Sequence, residues 1–131
     1  MNKPELLIPA GNGEKLKTAI LYGADAVYTG VSGLSLRAGS AEMSLAELAE
    51  GIRIAHAHNV KVYGALNTFA RDADLQKAKK IIPELAAIDI DALIVSDPGI
   101  IRLIRSSASN IPLHLSTQAN TTNIEAVRFW R

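Results

Sequence analysis

Polar side chains follow several short apolar runs of this chain, at positions where a buried strand would end. The side chains best suited to hold a substrate are one arginine, one aspartate and four amides: Arg37, Asp97, Asn12, Asn67, Gln118 and Asn120. An arginine can bind a carboxylate or a phosphate through two N–H groups, and an amide can donate to a carbonyl oxygen. The neutral groups at the end of the last apolar run, Ser116, Thr117, Gln118 and Asn120, indicate substrate recognition through hydrogen bonds more than acid–base catalysis.

Each of these residues also has a structural interpretation. Asn12 and Asp97 stand where a helix would begin, and capping a helix N-terminus is the usual role of both residue types there. The two roles are compatible, because a helix N-terminus also attracts anions. Asn67 could instead close a turn through its own backbone, and Arg37 could be a solvated residue in the long connection between residues 30 and 43. The polar cluster that contains Gln118 could be a plain loop.

Catalytic motifs have little support in the sequence. Ser96 and Ser116 follow apolar runs, but neither lies in the glycine-flanked turn of a serine hydrolase, and no histidine stands beside them as a base. The chain has no His-Glu-x-x-His zinc motif and no phosphate-binding glycine loop. His114 alternates with leucines, which would point its ring into a barrel. His56 and His58 would end a helix on different faces, which argues against a metal site.

Composition narrows the class of protein further. The chain has 131 residues, a formal net charge of +1 and an apolar fraction of 48%, which suits one globular domain. It contains no cysteine, so it offers no thiolate to zinc or to an iron–sulfur cluster. We expect no metal and no cofactor to be held by this segment alone. Because no apolar run has membrane or signal-peptide length, we expect a cytoplasmic protein.

The apolar runs at 6–8, 26–28, 60–63, 92–95 and 113–115 predict five buried strands. Helices are predicted between them from apolar spacing and capping residues. Ser44 and Glu47 form a capping box before an apolar pattern on one face, and Thr122 with Glu125 repeats this device near residue 131. Pro83 lies inside the predicted third helix, where it should cause a kink or a restart.

Alternation of strand and helix predicts an α/β fold with a parallel sheet of about five strands, as in part of a TIM-like barrel. Segments 23–28 and 89–94 echo each other, each with an acidic residue before an apolar strand, which favours repeated βα units. We predict that residues 1–131 form one domain, the N-terminal portion of a longer barrel. Because a half-barrel exposes strand edges, we expect the isolated chain to form a homodimer or to aggregate.

Six ordered motifs, spread over nearly the whole chain, resemble those of one protein family. They are the segments 4–12, 22–28, 35–38, 66–68, 91–99 and 115–120. The third of them contains Arg37, the fourth Asn67 and the sixth Gln118. On these motifs the chain is identified as a member of the collagenase-like peptidases, peptidase family U32.

The resemblance implies a TIM-like barrel in the full-length family and, from the family name, a protease with a peptide substrate. It also implies an alternative, because other members resemble oxygen-independent hydroxylases that act on tRNA, rRNA or a ubiquinone precursor. Those members carry cysteines for an iron–sulfur cluster downstream of the matched region. Under this alternative the chain is the substrate-binding half of a hydroxylase for RNA or a small aromatic molecule. A third interpretation is a scaffold without activity.

Overall fold

The computed structural model describes residues 3–36 and 42–131. Within these ranges the strands are β1 (Leu7–Pro9), β2 (Ala26–Val31), β3 (Glu42–Met43), β4 (Lys61–Leu66), β5 (Ala92–Val95) and β6 (Leu113–Leu115). The helices are α1 (Gly13–Leu21), α2 (Leu45–His56), α3 (Asp72–Ala87), α4 (Pro98–Ser107) and α5 (Ile124–Trp130), with a 3-10 turn at Thr117–Ala119. No helix in these ranges is both long and apolar enough to cross a membrane.

The strands form one parallel sheet in the order β1-β2-β4-β5-β6. β3 pairs with the last two residues of β2, Gly30 opposite Glu42 and Val31 opposite Met43. The predicted α/β fold with a parallel sheet of about five strands is therefore confirmed. The sequence does not reveal β3, because two residues make no apolar run.

The two faces of the sheet bury different side chains, because successive residues of a strand point to opposite faces. On the outer face, Val27 and Leu93 are fully buried in the main core together with residues of the helices. On the inner face, Tyr63 packs with Ala26 and Ala92 in a separate, smaller cluster. The inner face is the one that a closed barrel would fill with side chains from all of its strands.

Side-chain caps begin the helices where the sequence predicts them, with one exception. The Ser44 hydroxyl accepts from the Glu47 N–H at 3.3 Å, and the Glu47 carboxylate accepts from the Ser44 N–H at 2.9 Å, which confirms this capping box. The predicted cap at Thr122 is wrong. Asn123 caps α5 instead, and its side-chain oxygen accepts from the Ala126 N–H at 2.9 Å. Asparagine is the stronger capping residue of the two neighbours, so the helix begins one position later.

α3 continues without interruption past Pro83, so the helix does not restart there, and the alternative of a kink stays a prediction. A proline inside a helix removes one backbone hydrogen bond and crowds the preceding turn. On one face of the same helix, Ala78, Ile82 and Leu85 are buried in the main core. Their packing on both sides of the proline offsets its local cost and keeps the helix in one piece.

Three helices end in the same way before the next strand. At the ends of α1, α2 and α3, a residue with positive φ precedes a buried apolar residue, in the pairs Gly23-Ala24, Asn59-Val60 and Asp89-Ile90. The N–H of each apolar residue donates to the carbonyl five positions earlier, which is the Schellman arrangement. The βα units thus share one type of helix-to-strand joint.

The similar segments 23–28 and 89–94 each contain an aspartate before a strand, and the two aspartates have equivalent roles in the structure. Asp25 accepts a hydrogen bond from the Leu6 N–H at 2.8 Å, and Asp91 accepts one from the Val62 N–H at 2.7 Å. Each aspartate directly precedes its own strand and lies opposite the residue that it binds. Asp91 also pairs with His56 Nε2 at 2.9 Å. These bonds anchor the amino ends of neighbouring strands.

The bond between Asp25 and the Leu6 N–H has a consequence for acid stability. This bond, together with the Lys3 ammonium, lowers the pKa of Asp25 in the folded chain. Because the folded-state pKa lies below the unfolded-state value of about 4, the carboxylate stabilises the fold above that pH and loses this effect as the pH falls through the folded-state pKa. We expect the free energy of unfolding to fall on acidification below about pH 4, and to fall less steeply in Asp25→Asn.

Urea unfolding of the unsubstituted chain and of Asp25→Asn, each at a series of acidic pH values, measures both slopes. Equal slopes would mean that Asp25 does not couple folding to proton binding.

Candidate functional site

A cavity of about 370 Å³ opens on the inner face, at the carboxyl ends of the strands. This is the end of a parallel α/β sheet at which ligands bind. Its apolar and aromatic lining includes Leu7, Pro9, Tyr28, Ala65 and Ile94. The polar residues along it are Thr29, Ser35, Asn67, His114, Ser116, Thr117 and Gln118. None of the described residues that line it is Asp, Glu, Lys or Arg.

Asn67, a predicted site residue, lies in the cavity directly after β4. Its Oδ1 accepts a hydrogen bond from the Leu36 N–H at 3.2 Å. A second bond, from the Thr68 N–H to the Leu34 carbonyl at 3.2 Å, joins the same two segments. The connection that follows β2 is therefore tied to the end of β4. Its NH2 group donates to none of the residues that the structure describes.

Gln118, also predicted, reaches the cavity from the 3-10 turn after β6. Its Oε1 forms a hydrogen bond with the hydroxyl of Ser116, which donates because a carbonyl oxygen can only accept. Ser116 is itself only 8% exposed, and its N–H donates to the Val95 carbonyl at 2.7 Å. The buried serine thus fixes the position of the amide. Sequence reasoning considers Ser116 as a nucleophile and as one member of a polar cluster, but not as the support of Gln118.

The structure does not bring three of the other predicted residues, Asn12, Asp97 and Asn120, into this cavity. Asn12 and Asp97 cap α1 and α4, and their side-chain oxygens each accept from the N–H of the third helical residue at 2.9 Å. The capping interpretation of both residues is therefore confirmed. Asn120 is exposed and has a left-handed backbone with φ of 53°, which asparagine tolerates better than most residues. Arg37 lies outside the described residues.

His114 lines the cavity and lies against the ring of Tyr63. The two ring centroids are 4.7 Å apart and the planes meet at 78°, an edge-to-face contact. The ring of His114 therefore points to the inner face, as the alternation with leucines predicts. His114 is nevertheless exposed and does not belong to the core.

Glu5 binds the hydroxyl of Tyr63 on the side of the ring that faces the amino ends of the strands. The Tyr63 hydroxyl donates to Glu5 Oε1 at 2.7 Å, and Lys61 Nζ lies 3.0 Å from Glu5 Oε2. Burial and the bond to Glu5 raise the pKa of Tyr63 well above its usual range, and the bonds from Tyr63 and Lys61 lower the pKa of Glu5. Tyr63 is therefore a neutral phenol with a fixed ring. Sequence reasoning misses this pair, although a buried tyrosine always needs a partner for its hydroxyl.

These features define what the site can do. Across residues 3–36 and 42–131, no group of three or more His, Asp or Glu side chains could hold a metal ion. The polar lining of the cavity offers hydrogen bonds from hydroxyl, amide and imidazole groups, and its apolar lining offers surface for a flat ring. The arrangement therefore suits the binding and orientation of a neutral, planar ligand that carries polar atoms on its edge.

Comparison with curated proteins identifies relatives of two kinds. The tRNA hydroxylation protein P of Helicobacter pylori is 49% identical over 126 residues, which cover 95% of this chain and 30% of that protein. The 23S rRNA 5-hydroxycytidine C2501 synthase of Escherichia coli is 40% identical, over 95% of this chain and 18% of that protein. A collagenase of Porphyromonas gingivalis is 35% identical, over 99% of this chain and 31% of that protein. The chain spans less than a third of the length of these relatives.

The solved structure of the U32 peptidase Mk0906 has a similar fold, with a TM-score of 0.72 at 12% identity. The similarity covers 96% of this chain and 55% of that one. At this level of identity the likeness concerns the fold alone. The sequence model of peptidase family U32 matches residues 11–131, which is nearly the whole chain. The chain therefore belongs to peptidase family U32.

Proposed function

We propose that this chain forms the base-binding part of an RNA hydroxylase whose substrate is tRNA. The observation that carries the proposal is the cavity with its neutral hydrogen-bonding side chains and aromatic surface. Proteins recognise unpaired RNA bases by stacking on aromatic side chains and by hydrogen bonds to the base edges. The higher identity to a tRNA hydroxylation protein, 49% against 35% for a collagenase, supports the same assignment.

Peptide hydrolysis, which the family name implies, has less support in the described part of the chain. Hydrolysis requires a nucleophile or an activated water with a base beside it. The hydroxyl of Ser116 is bonded to Gln118, and the ring of His114 packs against Tyr63. Neither residue is thus arranged as half of a nucleophile–base pair.

The resemblance implies an iron–sulfur cluster in the hydroxylases of this family. Such clusters are held by cysteine thiolates, and this chain contains no cysteine. Its residues therefore do not fit the role of cluster ligands, and the contribution that we propose for them is to bind and orient the base.

Three further expectations belong to this proposal. A tRNA substrate favours a cytoplasmic location, and the single continuous sheet supports one domain over residues 1–131. Self-association of the isolated chain also stays a prediction. It is supported by the strands β1 and β6, each of which has a neighbour on one side only among the described residues.

Nucleoside mass spectrometry tests the proposed function. In cells that carry the gene, its deletion should remove from tRNA a nucleoside that is heavier than its parent by one oxygen atom. The gene as the cell encodes it should restore that nucleoside. Purified protein should leave casein and gelatin intact. An unchanged nucleoside profile after deletion, or cleavage of either protein, would overturn the proposal.

A further inference from the structure

Two amides of the cavity each have their oxygen engaged by another group of the protein, which turns attention to their NH2 groups as donors to a ligand. An amide has two donors on its nitrogen and an acceptor on its oxygen. The oxygen of Asn67 accepts from the Leu36 N–H at 3.2 Å, and that of Gln118 accepts from the Ser116 hydroxyl. Within residues 3–36 and 42–131, neither NH2 group donates to an acceptor of the protein. Each oxygen has thus accepted one of the two hydrogen bonds that it can take, whereas both hydrogens of each NH2 group are left for a ligand among the described residues.

The surroundings of these two amides limit the ligand further. The described residues that line the cavity include no Asp, Glu, Lys or Arg. The apolar surface is supplied by Tyr28, Ala65 and Ile94, and it suits a flat ring. A ligand that presented its own donors to the two NH2 groups would leave polar groups unpaired on both sides, at a substantial cost. A ring with oxygen acceptors on its edge pairs them.

We infer that Asn67 and Gln118 are specificity residues that recognise the carbonyl oxygens of a base, as carried by pyrimidines. The inference rests on the proposed function, since it takes the ligand to be a base of RNA. Ser116 acts as a positioning residue, because its hydroxyl holds the oxygen of Gln118 and leaves the NH2 group for the base. Leu36 does the same for Asn67 through its backbone N–H.

An isosteric substitution separates this role from a structural one. Asn67→Asp keeps an oxygen that can accept from the Leu36 N–H, so the local fold is retained. The same change removes both donors and places a negative oxygen against the carbonyl oxygen of the base. Asn123→Asp is the matched control, because Asn123 caps α5 outside the cavity and aspartate caps a helix as well as asparagine does.

The binding experiment uses the protein as its gene encodes it and two single-stranded RNA probes. One probe is oligouridine, and the other carries at each position a nonpolar isostere of uracil that lacks the carbonyl oxygens. The unsubstituted protein and Asn123→Asp should bind oligouridine roughly tenfold more tightly than the isostere. Asn67→Asp and Gln118→Glu should bind the two probes with affinities within about twofold of each other. Equal binding of both probes by the unsubstituted protein, or a preference retained by both cavity variants, would overturn the inference.

Nucleoside analysis in complemented deletion cells distinguishes failure of this inference from failure of the proposed function. If the deletion changes no nucleoside, the proposed function is wrong. If the deletion removes a hydroxylated nucleoside and Asn67→Asp restores it fully, RNA hydroxylation stands and the role of the amide is wrong. The expected result is loss on deletion, recovery with Asn123→Asp and at least a roughly tenfold deficit with Asn67→Asp.

Discussion

Replacing Leu93 with alanine should lower the free energy of unfolding by about 2–5 kcal/mol. Leu93 lies in the middle of β5, with no exposed surface, and packs in the main core. Removal of its side chain takes buried apolar contacts away and leaves a cavity that the two neighbouring strands cannot close. Urea or thermal unfolding of both chains measures the difference.

Leu21→Ala is the matched control for this prediction, because it removes the same atoms from the surface. Leu21 ends α1 and is 84% exposed. Alanine is also the better helix former, so stability should change by no more than about 0.5 kcal/mol. Similar losses in Leu21→Ala and Leu93→Ala would show that burial in the sheet is not the source of the effect.

Gly64→Ala should be the second large change, with a loss of about 1–3 kcal/mol from overpacking. Gly64 lies in β4, and a Cβ atom built there would lie 2.8 Å from Ile90 Cδ1, 3.1 Å from Val31 Cγ2 and 3.2 Å from Leu93 Cδ2. Three buried side chains would have to move for one methyl group. The glycine thus serves close packing of the outer face, and its backbone needs no special conformation.

Gly13→Ala provides the comparison for the same substitution without a clash. Gly13 begins α1, and a Cβ atom there would have nothing within 4 Å. Since alanine favours helix by up to about 1 kcal/mol over glycine, this variant should be as stable as the unsubstituted chain or slightly more so. A Gly64→Ala protein that unfolds at the same urea concentration would refute the packing argument.

The fold was predictable because buried parallel strands appear in a sequence as short apolar runs. The predicted strand at 92–95 coincides with β5. β2 and β4 extend beyond the predicted runs, because Thr29 and Gly64 interrupt the apolar pattern although they are buried. The cap at Asn123 shows that the exact start of a helix is harder to predict. Two neighbouring residues, Thr122 and Asn123, can both cap a helix, and the local backbone conformation decides which of them does.

The site was predictable only in part, because spacing places a residue at a strand end without giving the direction of its side chain. Asn67 and Gln118 face the cavity, whereas Asn12 and Asp97 turn back to cap their own helices. The support of Tyr63 by a glutamate 58 positions away is a tertiary contact that no local pattern contains.

The parallel order of the sheet dictates the symmetry of any assembly that continues it. Among the described strands, β1 and β6 stand at the two ends of the order β1-β2-β4-β5-β6. A two-fold axis that brought one edge against itself would pair the strands antiparallel. A second copy that extended the sheet with parallel strands would have to place its β1 beside the β6 of the first copy. Two different surfaces of the chain would then meet at the interface. Two chains joined in this way at both edges would form one closed barrel. The two-fold axis that relates them would then have to run along the axis of that barrel.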